Sequence, residues 1–256
     1  MDFSLGNSLG TLFVIGARVS GLMLFAPFMS NVAIPTRIKA ALAVTMTVVL
    51  YPVFAGRVQP VLSPIEWPML LGSEVLVGVA IGIATNLVFD AAEMAGQVFS
   101  VQMGFSLVNI LDPQTQVDTT VLSMFTQMMA LLIFLGLDIH HWILRLIAQS
   151  FAYLPPGSAT PNAAFTQQLL HIAGAVFGIG LQIAAPVLAS TLVADLLLGL
   201  IGKASPQMPV LFLGPAVKGL FGLVLLGTTV RCWPDLFSGM FSNSLQMLGH
   251  TLHLAR

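Results

Sequence analysis

Four polar residues, Asn86, Asp90, Glu93 and Gln97, recur at i, i+4, i+7 and i+11 within a long apolar stretch. At about 100° per residue they occupy one helical arc of roughly 60°, with Gly82 beside them. A carboxylate facing lipid is costly, so this stripe must face protein or water. Such a stripe suits an ion path or a proton relay. It also suits a helix–helix seam, with polar groups bonding across it and Gly78-x-x-x-Gly82 allowing close approach; the seam is preferred. Arg18, Glu74, Asp195 and Lys218 are lone charges inside other apolar segments, and each needs a partner. Glu74 or Asp195 can pair with Arg18 or Lys218, and the sequence does not choose. Structural pairing is preferred to transport chemistry.

His140 and His141 follow Asp138. Neighbouring histidines point to different faces of a helix, which makes a poor two-ligand metal site, so an interfacial cap is expected and no metal. No Gly-x-Ser-x-Gly, His-Glu-x-x-His or P-loop pattern occurs. Serine and aspartate are scattered without the spacing of an intramembrane protease. No catalytic residue and no cofactor are expected. The single cysteine, Cys232, excludes an internal disulfide and a cysteine-based metal site.

The elements that must position these residues are apolar. The chain is 57% hydrophobic and 7% charged, with a mean hydropathy of +0.94. Soluble domains carry about 25% charged residues, so these side chains cannot build an ordinary aqueous surface. The net charge of −1 offers no basic field for nucleic acid. Met1-Asp2-Phe3-Ser4 lacks the positive region of a cleavable signal, and the first apolar run is expected to direct insertion itself.

Six hydrophobic segments are predicted, at about 9–29, 38–55, 67–99, 119–150, 167–201 and 207–231. Pro155-Pro156-Gly157 and similar turn clusters separate them. Sustained strand-like alternation is absent, so the expected class is all-α, a membrane-type bundle of long, bent helical hairpins. Three segments exceed the length a bilayer needs and must tilt, break or leave the membrane. If all six cross, Arg37, Lys39 and Lys203 oppose Arg57, Arg145, Arg231 and Arg256, which leaves orientation undecided.

Between the third and fourth segments lies Gly104-Phe105-Ser106-Leu107-Val108-Asn109-Ile110-Leu111-Asp112-Pro113. It is too polar for a membrane helix, and Pro113 disfavours the α conformation at Asp112. It is also too apolar for a solvated loop. Irregular backbone at membrane depth survives only when buried in protein or lining a cavity, so a pore element or a buried joint is expected.

Several short sequences then point to a family. Arg18-Val19 with Ala26-Pro27-Phe28, followed by Ile34-Pro35-Thr36-Arg37-Ile38-Lys39-Ala40-Ala41-Leu42-Ala43, resembles the opening of the FliR family of flagellar export-gate proteins. Gln102-Met103-Gly104 with Asp112-Pro113, Leu131 to Leu135 leading to His141-Trp142, and Ala204-x-Pro206-Gln207-Met208 resemble the same family in order. Ala184-Ala185-Pro186 to Leu200, then Pro206-Gln207, Pro215 and Lys218, reads like the hairpin of the small subunit FliQ.

This resemblance implies one export-gate domain, FliP-like over about 1–165 and a FliQ-like hairpin and tail over about 166–256. It implies assembly with FliP- and FliQ-like subunits, and work alongside FlhB- and FlhA-like components, in the inner membrane at the flagellar basal body. The cargo would be unfolded flagellar proteins, membrane lipid would surround the gate, and neither nucleic acid nor enzymatic activity is expected. The loop after Gln102-Met103-Gly104 would be the plug of the closed pore. A homologous virulence-type secretion subunit and a secondary transporter using Asp90 and Glu93 remain the alternatives.

Overall fold

Several serine and threonine hydroxyls donate to carbonyls within their own helices. Thr45 Oγ1 donates to the Ala41 carbonyl at 2.8 Å, Thr85 Oγ1 to Gly82 at 2.8 Å and Thr126 Oγ1 to Ser123 at 2.9 Å. Such internal bonds let polar side chains ride on helices that have no water around them. The computed structural model describes residues 5–27, 35–54, 67–105, 120–155, 158, 163–205, 207 and 210–254. Among these residues there are helices and no strand.

In chain order the helices are α1 (Leu5–Phe25), α2 (Thr36–Phe54), α3 (Trp67–Gln102), α4 (Val121–Gly136), α5 (Ile139–Tyr153), α6 (Ala163–Ala204), α7 (Val210–Thr229) and α8 (Trp233–Leu254). A 3-10 turn, Val230–Cys232, joins the last two. Thr120 caps α4 by accepting from the Ser123 amide at 3.2 Å. The expected segments over 67–99 and 167–201 are unbroken helices of 36 and 42 residues.

Two segments differ from expectation. The stretch 119–150 is divided at Leu137-Asp138, where Asp138 takes a left-handed φ of 54° that no helix interior accepts. The segment ending near 231 continues into α8, which hydropathy alone leaves as a tail. Among the described residues, four stretches are long and apolar enough to cross a membrane, and the α4–α5 pair makes five if counted as one broken span.

The chain divides into two compact units. One comprises Met1–Leu87, Asp138–Gly174 and Phe241–Arg256; the other comprises Val88–Leu137 and Ala175–Met240. The first has a core of Val14, Ile15, Val19, Val77, Ile81, Ile147 and Phe151. The second is centred on Ala91, Ala95, Phe99, Phe134, Val187, Trp233 and Phe237. Within it Phe89 meets Phe134 edge-on at 5.3 Å, and Trp233 packs on Phe237 at 5.9 Å. Burial is uneven along the chain. The most apolar window of α3 is 67% buried, against 11% for that of α2 and 28% for that of α6. α3 is thus the core helix, while α2 and α6 present apolar faces outward.

Candidate functional site

In the first unit, close packing of α1 on α3 creates a buried ion pair. A Cβ added to Gly78 would overlap the Arg18 carbonyl oxygen and lie 2.9 Å from the Leu22 amide nitrogen. Only glycine lets the two backbones approach this closely. The contact sets Arg18 against Gly78 and so brings its side chain to Glu74, one helical turn before Gly78 on α3. Arg18 Nε donates to Glu74 Oε2 at 2.6 Å, and both side chains are fully buried. Arg18 Nη1 donates to Ser150 Oγ of α5 at 3.2 Å, and Ser150 Oγ donates onward to the Ile147 carbonyl at 2.8 Å. The guanidinium lies 4.2 Å from the ring centroid of Phe151, whose own ring packs 5.1 Å from Phe54. One cation therefore holds α1, α3 and α5 together through an ion pair, a hydroxyl and a π face.

In the second unit, Lys218 of α7 pairs with Asp195 of α6. The lone charges thus pair as Arg18 with Glu74 and Lys218 with Asp195, a choice that sequence spacing leaves open. Asp195 remains half exposed, with the exposed Leu192 one turn before it on the same face of α6. Along α3, Asn86 and Glu93 are half-buried while Asp90 and Gln97 are exposed. Gln127 Nε2 of α4 reaches Glu93 Oε2 at 3.4 Å, a long hydrogen bond. The stripe marks the open side of a helix otherwise enclosed by apolar packing.

The exit from α3 is built by Gly104. Its φ is +81°, its amide donates to the Val101 carbonyl at 3.2 Å, and the Phe105 amide donates to the Ser100 carbonyl at 2.9 Å. This pair of bonds around a left-handed glycine is the Schellman ending of a helix. A Cβ at Gly104 would lie 2.9 Å from Pro215 Cβ, so α7 closes over the turn. Met103 is 2% exposed and fills the notch beside Gly222 of α7. Phe105, by contrast, is exposed. Ser106, Leu107, Val108, Asn109, Ile110, Leu111, Asp112 and Pro113 lie outside the described residues.

His140 and His141 do not diverge as their spacing suggests. Their ring centroids are 4.1 Å apart and both rings approach Asp138. One presents Nε2 and the other Nδ1, and this compensates for their different directions on the helix. Sequence reasoning also missed Trp233, Phe237, Met240 and Phe241, the buried face of α8, although their spacing of four, three and one is helical.

Long apolar helices with charges paired between them define a helical membrane protein. Residues 9–244 match the family described as bacterial export proteins, family 1. The flagellar biosynthetic protein FliR of Pectobacterium carotovorum subsp. carotovorum is 30% identical over 237 residues, covering 92% of this chain and 90% of that protein. Its namesake from Bacillus subtilis (strain 168) is 30% identical over 97% of this chain and 98% of that one. The Escherichia coli (strain K12) protein of the same name is 29% identical over 90% and 88%. The chain belongs to the FliR family of bacterial export proteins.

Proposed function

We propose that this chain is a structural pore subunit of the flagellar type III protein export gate, assembling with FliP- and FliQ-like subunits in the inner membrane at the basal body. The observation that carries this reading is similarity along nearly the whole chain to relatives named for flagellar biosynthesis. In it, residues of about 1–165 take the FliP-like part and about 166–256 the FliQ-like hairpin and tail. FlhB- and FlhA-like components deliver unfolded flagellar proteins to the channel. No bond is made or broken by the subunit; its work is to shape a passage.

Two features of the fold support a subunit rather than a free-standing transporter. α2 and α6 leave most of their apolar windows uncovered, which suits burial against neighbouring chains and lipid. The lone charges pair within the chain, which suits a scaffold. The stripe Asn86, Asp90, Glu93 and Gln97 serves as a polar seam, and Gly104 to Pro113 acts as the plug. The test is complementation. Cells lacking this chain should release no flagellar proteins into the medium, and its return should restore export. Undiminished flagellar export in its absence would overturn the proposal.

A further inference from the structure

Asp138 is the one non-glycine residue with positive φ among the described residues, and its carboxylate caps no amide of the helix it precedes. Asp138 Oδ1 lies instead 3.8 Å from His140 Nε2 and 3.6 Å from His141 Nδ1. One donor atom from each of the three side chains falls within 4.8 Å of the others. A tetrahedral ion with bonds of about 2.0 Å spaces its ligands by about 3.3 Å, so a slight rotation of these side chains completes the set. Such rotation is available, because side-chain exposures are 41% for His140, 60% for His141 and 73% for Asp138.

We propose that Asp138, His140 and His141 bind a divalent transition-metal ion, Zn²⁺ foremost, with water completing its coordination. Two imidazoles and one carboxylate suit Zn²⁺ and its neighbours in the first transition row, whereas Mg²⁺ and Ca²⁺ take oxygen ligands. The use of Nε2 from one ring and Nδ1 from the next is what brings adjacent histidines to one ion. The bound ion would tie the left-handed residue to the first turn of α5 and so take the place of the missing side-chain cap.

The experiment uses the full chain in its purified complex, stripped with chelator and titrated with Zn²⁺ under direct metal analysis. Saturable binding of a single Zn²⁺ per chain is expected, lost in the doubly substituted H140Q/H141Q chain. Cu²⁺ bound to the unsubstituted chain should show the electron-paramagnetic-resonance signature of two imidazole nitrogens. Three results would each overturn the proposal: no saturable Zn²⁺ binding, undiminished binding by H140Q/H141Q, or a Cu²⁺ spectrum without two nitrogens. Undiminished binding would move the ion to other donors such as His171.

Discussion

Arg18 and Glu74 each sit in an apolar helix, and neither charge is tolerable there alone. Removing one partner of a buried pair leaves an uncompensated charge and costs about 3–5 kcal/mol, whereas replacing both with apolar residues is often neutral. Arg18→Met should therefore lower the thermal stability of the purified complex sharply, and R18M/E74M should recover most of it. Equal melting temperatures for the single and double variants would show that the pair holds nothing. Glu93 is a milder case, half-buried and reached only by a long bond from Gln127. Glu93→Gln keeps shape and hydrogen bonding, so secretion should stay within about twofold of the unsubstituted level. Glu93→Leu should reduce the yield of assembled complex. Loss of export by Glu93→Gln in a fully assembled complex would make the stripe a proton path instead. At this scale the sequence shows which charges need partners. It does not show which pair forms, because pairing depends on backbones meeting at Gly78, far from Arg18 along the chain.

Helices α1, α2, α3 and α6 are legible in hydropathy because each carries a long apolar run with only isolated polar residues. α4 and α5 are not separable that way, since the break rests on the left-handed backbone of Asp138 and apolar sequence resumes on both sides of the short polar stretch Asp138 to His141. α8 escapes because it is amphipathic rather than uniformly apolar, and its signal is periodic burial of Trp233, Phe237, Met240 and Phe241. The end of α3 at Gly104 lies beyond the expected segment end near residue 99 and is set by the left-handed backbone of that glycine. A resting pore wide enough for a polypeptide must be sealed against ions, and apolar side chains seal by excluding water. Phe105, Leu107, Val108, Ile110 and Leu111 are suited to that seal. Deleting residues 105–110 should leave the complex assembled but the membrane leaky, read as conductance or uptake of small solutes. Unchanged tightness in an assembled variant would place the seal elsewhere.

The whole molecule carries more apolar surface than its own helices cover. Phe13, Val44, Val48, Met69, Leu170, Phe177, Leu196 and Phe221 are all exposed, and they lie on several different helices. Surface of this extent marks contact with lipid or with other subunits. Lipid accounts for leucines and valines, but not for the half-exposed carboxylate of Asp195 on the same face of α6 as the exposed Leu192, one turn earlier. Such a face needs a neighbouring chain or water. The most direct measurement is the solution behaviour of the chain expressed alone and with FliP- and FliQ-like subunits, compared by size-exclusion chromatography and native mass in mild detergent. Alone, the chain should aggregate or be degraded; with its partners, it should emerge in one monodisperse complex containing all three. A stable, monodisperse monomer that ignores the partners would contradict the account of this chain as an obligate subunit of an export gate.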